Sequence, residues 1–160
     1  MDFLAQLEQS GFSAWVRQSP SVWAYPTILT LHTIGLGFLV GTSSAISLRI
    51  IGVGSLMPLA PMGRFFPVMW VGFWINAISG TALFAAGATS KIRNPAFIIK
   101  LIFIALAIVN MRLLRRHVFR DRESLGMNPV PIKGRILACT SLFLWAGAIT
   151  AGRLMAYVGY

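Results

Sequence analysis

Acidic residues are nearly missing from this sequence: 160 residues hold four, Asp2, Glu8, Asp121 and Glu123, against 14 lysines and arginines. None of the four lies in a long apolar run, which argues against a carboxylate relay carrying protons or sodium through a membrane. Cysteine is reduced to Cys139, inside an apolar run, so no internal disulfide can form and the redox compartment is not legible. No CxxC, HExxH, phosphate-binding glycine loop or nucleophile elbow occurs. The methionines do not repeat along one helical face, as a copper relay would prefer. The chain opens on Asp2 and Glu8 rather than on a basic stretch, and its first apolar run is short, so no cleavable signal peptide is expected.

Charge of either sign is also scarce. Only 11% of residues are charged, 56% are hydrophobic, and the mean hydropathy is +0.73. A soluble domain of this size needs more polar surface. No charged residue occurs between Arg17 and Arg49, between Arg64 and Lys91, or between Arg135 and Arg153. Runs of roughly 20 apolar residues match the hydrocarbon core of a bilayer. The expected fold is therefore all-α, a four-helix transmembrane bundle with spans at about 23–46, 66–86, 95–114 and 136–157. Pro26 is tolerated in the first turn of the first span and Asn94 is placed to cap the third. Residues 1–21 form a separate amphipathic segment, with Phe3, Leu4 and Leu7 on one side and Ser13 as cap of a turn carrying Trp15 and Val16. Such a segment is expected to lie in the membrane interface, and residues 22–160 form the transmembrane domain.

Net charge of +10 would point to nucleic acid in a soluble protein, but no basic stripe lies on a water-facing helix, so no nucleic-acid partner is expected. Most of the positive charge falls in two connections. The stretch from Met111 to Arg135 holds Arg112, Arg115, Arg116, Arg120, Arg122, Lys133 and Arg135, and the first connection holds Arg49 and Arg64. The positive-inside rule makes both cytoplasmic. The expectation is an inner-membrane protein with N-out and C-out topology, although Lys91 and Arg93 sit in the opposing outer loop. His117, among arginines, reads as a solvated loop residue.

Small residues mark where helices can approach in lipid. Gly37 and Gly41, continued by Ala45, form such a stripe on the first span, on the side opposite His32, and place that helix at the centre of the bundle. Gly72, Asn76 and Gly80 make a stripe on the second span. Gly147 with Ala151, and Ala148 with Gly152, serve the fourth. Helix contacts of this kind also fit a homo-oligomer or a membrane-protein partner.

Ionisable groups within spans are functional candidates by default. His32, Lys100 and Arg153 are the three here, and helical rise puts them roughly 6–10 Å below the outer boundary, with Asn76 somewhat deeper. His32 could ligate heme iron or another metal, or hydrogen-bond a quinone. Its bland alternative is an interhelical hydrogen bond, for instance to Asn76. Lys100 and Arg153 could neutralise heme propionates, a lipid phosphate or another anion, or simply snorkel to the headgroups.

Several motifs in order, Trp23-x-Tyr25-Pro26, His32-x-x-Gly35, Leu48-Arg49-x-x-Gly52, Asn94-Pro95-Ala96-Phe97-x-x-Lys100, Asn110 and Gly152-Arg153-x-x-Ala156-Tyr157, resemble a family of uncharacterised four-span bacterial membrane proteins defined as a domain of unknown function. The resemblance implies the four-span fold over nearly the whole chain and no established activity. Where that family tends to carry acidic residues, this chain has Leu29 and Ser47, so a function built on those carboxylates does not transfer. The leading functional reading is a small membrane subunit, not a stand-alone enzyme, with an outer-leaflet pocket for heme b or quinone around His32. A permease-like or copper-handling protein and a structural membrane anchor for a larger complex are the alternatives. The topology is testable first: a reporter fused at the C-terminus should read as periplasmic and one near Arg122 as cytoplasmic. The reverse pattern would contradict the orientation.

Overall fold

A long apolar run has no partner in lipid for its backbone N–H and C=O groups, and coiling into a helix satisfies them within the run. The computed structural model describes residues 2–54, 56, 58–120, 130–155 and 157. Helices α1 (Asp2–Glu8) and α2 (Gly11–Gln18) precede the long α3 (Tyr25–Ile51). A 3₁₀ turn (Ala60–Arg64) leads into α4 (Phe65–Ala85), followed by the short α5 (Ala88–Arg93) and by α6 (Pro95–Leu114), which runs on through a π-helical turn (Arg115–Arg120). The last helix, α7, is Ile132–Leu154. Four of these helices are long and apolar enough to cross a membrane, so the chain is a polytopic membrane protein built as a four-helix bundle.

The ends of the helices have local causes. Asn94 accepts a 2.9 Å hydrogen bond from the backbone N–H of Ala96 and caps α6, as its position before Pro95 leads one to expect. Gly52 ends α3 with φ +121°, a conformation that L side chains rarely adopt. Helix α3 extends beyond residue 46 to Ile51 and takes in Arg49, while α7 starts at Ile132 and takes in Lys133 and Arg135. A gap between charges marks the apolar part of a helix and does not mark its ends. At the other end, α7 stops at Leu154, so Arg153 lies in its last turn.

Helix α3 packs most closely on α4, next on α7, and α7 packs on α6. Helices α4 and α6 face each other without comparably close backbone contact. Glycines set the α3–α4 seam. A Cβ on Gly35 would lie 2.7 Å from the Asn76 backbone nitrogen and 3.0 Å from the Gly72 carbonyl oxygen, and one on Gly72 would lie 2.7 Å from the Leu39 nitrogen. On the α6–α7 side the Phe103 ring lies directly over Gly147, and Asn110 donates a 2.9 Å hydrogen bond to the Leu137 carbonyl. Where α3, α6 and α7 meet, Trp145 donates to Ser43 at 2.7 Å, and the Ser43 and Ser141 hydroxyls each lie 3.2 Å from the Met111 sulfur. These groups are buried, so their mutual pairing replaces the water they lack.

Two sequence expectations are corrected. Gly37 and Gly41 are exposed and no side chain or backbone lies within 4 Å of a Cβ built on either. With Ala45 they form an outward stripe, and the intramolecular contact runs instead through Gly35, three residues from His32. The spacing of small residues shows that a close approach is possible on a face, not which of two such faces is used. The cap of α2 is Ser10, not Ser13: the Ser13 N–H donates to Ser10 Oγ, while the buried Ser13 hydroxyl donates to the Ala85 carbonyl at the end of α4. Together with the buried Val16, this ties the amphipathic N-terminal segment to the bundle.

These contacts predict opposite outcomes for two glycines on one helix. Gly35→Ala forces a Cβ into backbone atoms and should destabilise the detergent-solubilised protein by about 1–3 kcal/mol, the usual range for overpacking. Gly41→Leu should leave the melting profile unchanged. Equal losses in the two variants would contradict the packing.

Candidate functional site

His32 comes one turn before Gly35 on the same seam, and the close approach of α3 and α4 decides what it can reach. Its Nδ1 lies 3.0 Å from the Asn76 carbonyl oxygen and 3.1 Å from Ser79 Oγ. A carbonyl oxygen only accepts, so Nδ1 carries the hydrogen. The Ser79 hydroxyl donates to the Ile75 carbonyl at 2.6 Å, which leaves its oxygen free to accept from the same Nδ1–H. Asn76 returns the contact, its side-chain amide donating to the His32 carbonyl at 2.9 Å. Residues 32 and 76 thus each bind the other's backbone, a reciprocal clasp across the seam. Gly80 provides the space: a Cβ there would lie 3.0 Å from the imidazole Cε1.

The clasp leaves Nε2 as the ring nitrogen with no hydrogen-bond partner among the described residues. In a neutral imidazole whose Nδ1–H is held by a backbone carbonyl, Nε2 carries the lone pair. That is the arrangement used to orient histidines that ligate metals or accept hydrogen bonds.

Cations gather at the same end of the bundle. Lys100, on α6, runs its methylenes along Gly152 of α7, where a Cβ would stand 3.5 Å from Cδ. Lys91, on α5, donates a hydrogen bond to the Leu83 carbonyl at the end of α4. Burial, and then the charge of Lys100, hold Lys91 below the usual lysine range, while Glu8 opposes the shift. Glu8 is committed elsewhere. It accepts from the Thr89 N–H at 3.1 Å and from the Thr89 hydroxyl, and Arg17 stands 3.2 Å away. A carboxylate from α1 thereby caps α5, and these hydrogen bonds, Thr89's hydroxyl first, hold its pKa below the ordinary carboxylate value.

The four residues singled out by sequence are thus distributed unevenly. His32 and Asn76 are joined directly, Lys100 packs along Gly152 of α7, and Arg153 is exposed in the last turn of α7. Ser79 and Lys91 were not singled out. Ser79 falls three residues after Asn76 on the same helical face, which was a usable signal. Lys91 read as an ordinary loop cation. His117, at the opposite end, donates from Nδ1 to the Leu113 carbonyl one turn back and is exposed. Ser47 is buried, and its hydroxyl has no hydrogen-bond partner among the described residues. Among those residues no group of three or more His, Cys, Asp or Glu side chains could hold a metal ion.

A small apolar crevice opens deeper in the bundle, lined by Leu39, Met69, Trp70, Phe73, Ile108, Met111 and Trp145. All four long helices contribute to it, with Leu39 from α3 and Trp145 from α7 beside residues of α4 and α6. In comparison with known proteins, no family model, no curated protein and no solved structure matches this chain.

Proposed function

We propose that this protein is a small inner-membrane subunit, N-out and C-out, that holds a redox ligand at its outer end, with His32 as the contact residue. The commitment of Nδ1 to the Asn76 carbonyl carries the reading, because it orients the imidazole and presents Nε2 to a ligand. Lys100 supplies a cationic neighbour at the same level, and Arg153 stands at the rim. The N-terminal helices, with Phe3, Phe12 and Trp15 exposed, and the following turn with Trp23 exposed, lie in the interface beside the site.

Of the two ligand classes that suit a lone histidine in a membrane, quinone fits better than heme b. A quinone carbonyl or quinol hydroxyl needs one hydrogen-bonding nitrogen. A six-coordinate heme needs a second axial ligand, and His117 is at the opposite end of the bundle. The site residues are a binding set with no catalytic group of their own, and turnover belongs to a partner subunit.

The test is the content of purified protein. Solvent extraction of the wild type should yield a stoichiometric isoprenoid quinone, and His32→Ala should lose it while remaining folded. A Soret band that disappears in His32→Ala would replace quinone by heme at the same residue. A wild-type preparation with neither ligand, and with no affinity for an added quinone analogue, would overturn the reading.

A further inference from the structure

Arg112 lies in the last turn of α6, and Arg115 opens the π-helical turn that continues it. Both side chains reach across to α4. The guanidinium carbon of Arg112 stands 5.3 Å from the centroid of the Trp70 ring, and that of Arg115 stands 5.3 Å from the centroid of Phe66. Each distance is that of a cation–π contact. Phe66 is itself fixed, because it is buried and Phe119 meets it edge-on with 5.2 Å between centroids. The two rings are four residues apart on α4 and the two arginines three residues apart, so helical rise holds the guanidinium groups about one turn from each other.

A ring attracts the charge of a guanidinium but offers no lone pair to its five N–H donors. Among the described residues no carboxylate answers them either. The one ion pair there joins Arg17 to Glu8, at the α5 end of the bundle, and both arginines are exposed. The structure thus presents two oriented guanidinium groups, side by side, with their donors unspent.

We propose that Arg112 and Arg115 together bind the phosphate of an anionic phospholipid. Forked guanidinium donors match phosphate oxygens, and rings that hold the forks in place lower the cost of ordering them. Depth agrees with this ligand. Arg112 comes seventeen residues after Pro95 and Arg115 twenty, about 25 and 30 Å along the helix. The hydrocarbon core is about 30 Å thick, so the pair stands at its boundary, where lipid phosphates lie. Arg116, Arg120 and Lys133 are exposed at the same end, an excess of positive charge that favours an anionic headgroup over a choline one. Apolar surface begins beside the pair. Trp70, under Arg112, also borders the apolar crevice, and so does Ile108, one turn before Arg112. Free inorganic phosphate offers the same chemistry to the arginines but would leave that surface bare. The site needs a bilayer but no particular orientation in it, and it is independent of what His32 binds.

Native mass spectrometry of the full chain provides the test. Released from micelles with equal amounts of phosphatidylglycerol and phosphatidylcholine, the wild type should retain one phosphatidylglycerol in preference by at least severalfold. Replacing both arginines by glutamine should abolish the preference. Replacing both by lysine keeps the charge and removes the forks, and should lower it severalfold. The lysine pair preserves the apolar stems, so it carries the test even where the glutamine pair fails to fold, which circular dichroism establishes. Lys133→Gln, an exposed cation at the same end, should keep the preference. Equal retention of the two lipids by the wild type would overturn the proposal. So would wild-type preference in the lysine pair, or loss of preference in Lys133→Gln, either of which would reduce the effect to general attraction. Full competition by millimolar inorganic phosphate would overturn it too, assigning the pair to a free anion.

Discussion

Two helices whose backbones touch can exchange hydrogen bonds that two helices separated by side chains cannot. In this bundle Gly35 and Gly72 bring α3 and α4 to that distance, each leaving space that a Cβ would fill with the other helix's backbone. His32, three residues before Gly35, and Asn76, four after Gly72, then reach the opposing carbonyl groups. Each interhelical bond of this kind contributes on the order of 0.6 kcal/mol in a membrane, with an upper range near 2, so the clasp alone does not hold the bundle together. Its consequence is orientational. It decides which face of the imidazole is spent on structure and which nitrogen remains.

The distribution of charge follows a second constraint. At the end carrying the π-helical turn, arginines fold back on aromatic rings: Arg112 lies 5.3 Å from the centroid of Trp70 and Arg115 5.3 Å from that of Phe66. These cations therefore have partners of their own. At the α5 end the N-terminal segment is anchored through Glu8 and Ser13. Glu8 gives its charge to the start of α5, where the exposed N–H groups of a helix favour an anion. Lys91, on α5, gives its ammonium to the Leu83 carbonyl, and Lys100, on α6, packs along Gly152 of α7.

Most of the architecture was legible in residue order, because in lipid the length of an apolar run and the position of charges leave few alternatives. Runs between Arg17 and Arg49, Arg64 and Lys91, and Arg135 and Arg153 became α3, α4 and α7, and the cap at Asn94 opened α6 where expected. Helix rotation was harder. Both Gly35 and the Gly37–Gly41 pair offered a smooth face on α3, and only the position of α4 shows which is used. Of the site, His32 and its bond to Asn76 were readable from spacing. The role of Lys91 was not, because it depends on α5 folding back over the end of α4. That Arg153 lies exposed in the last turn of α7 depends on where the helix ends, at Leu154, which the apolar run does not mark.

The protonation of one ring nitrogen tests this account most directly. Solid-state NMR of protein labelled with ¹⁵N in the histidine rings, reconstituted in bilayers at mildly alkaline pH and assigned with His117→Gln, reports which nitrogen of His32 bears hydrogen. The account predicts a protonated Nδ1 and an Nε2 with a lone pair, the latter shifting when a quinone analogue is added while Nδ1 stays in place. A hydrogen on Nε2 with a bare Nδ1 would mean that the clasp to the Asn76 carbonyl does not exist, and the orientation of the site with it.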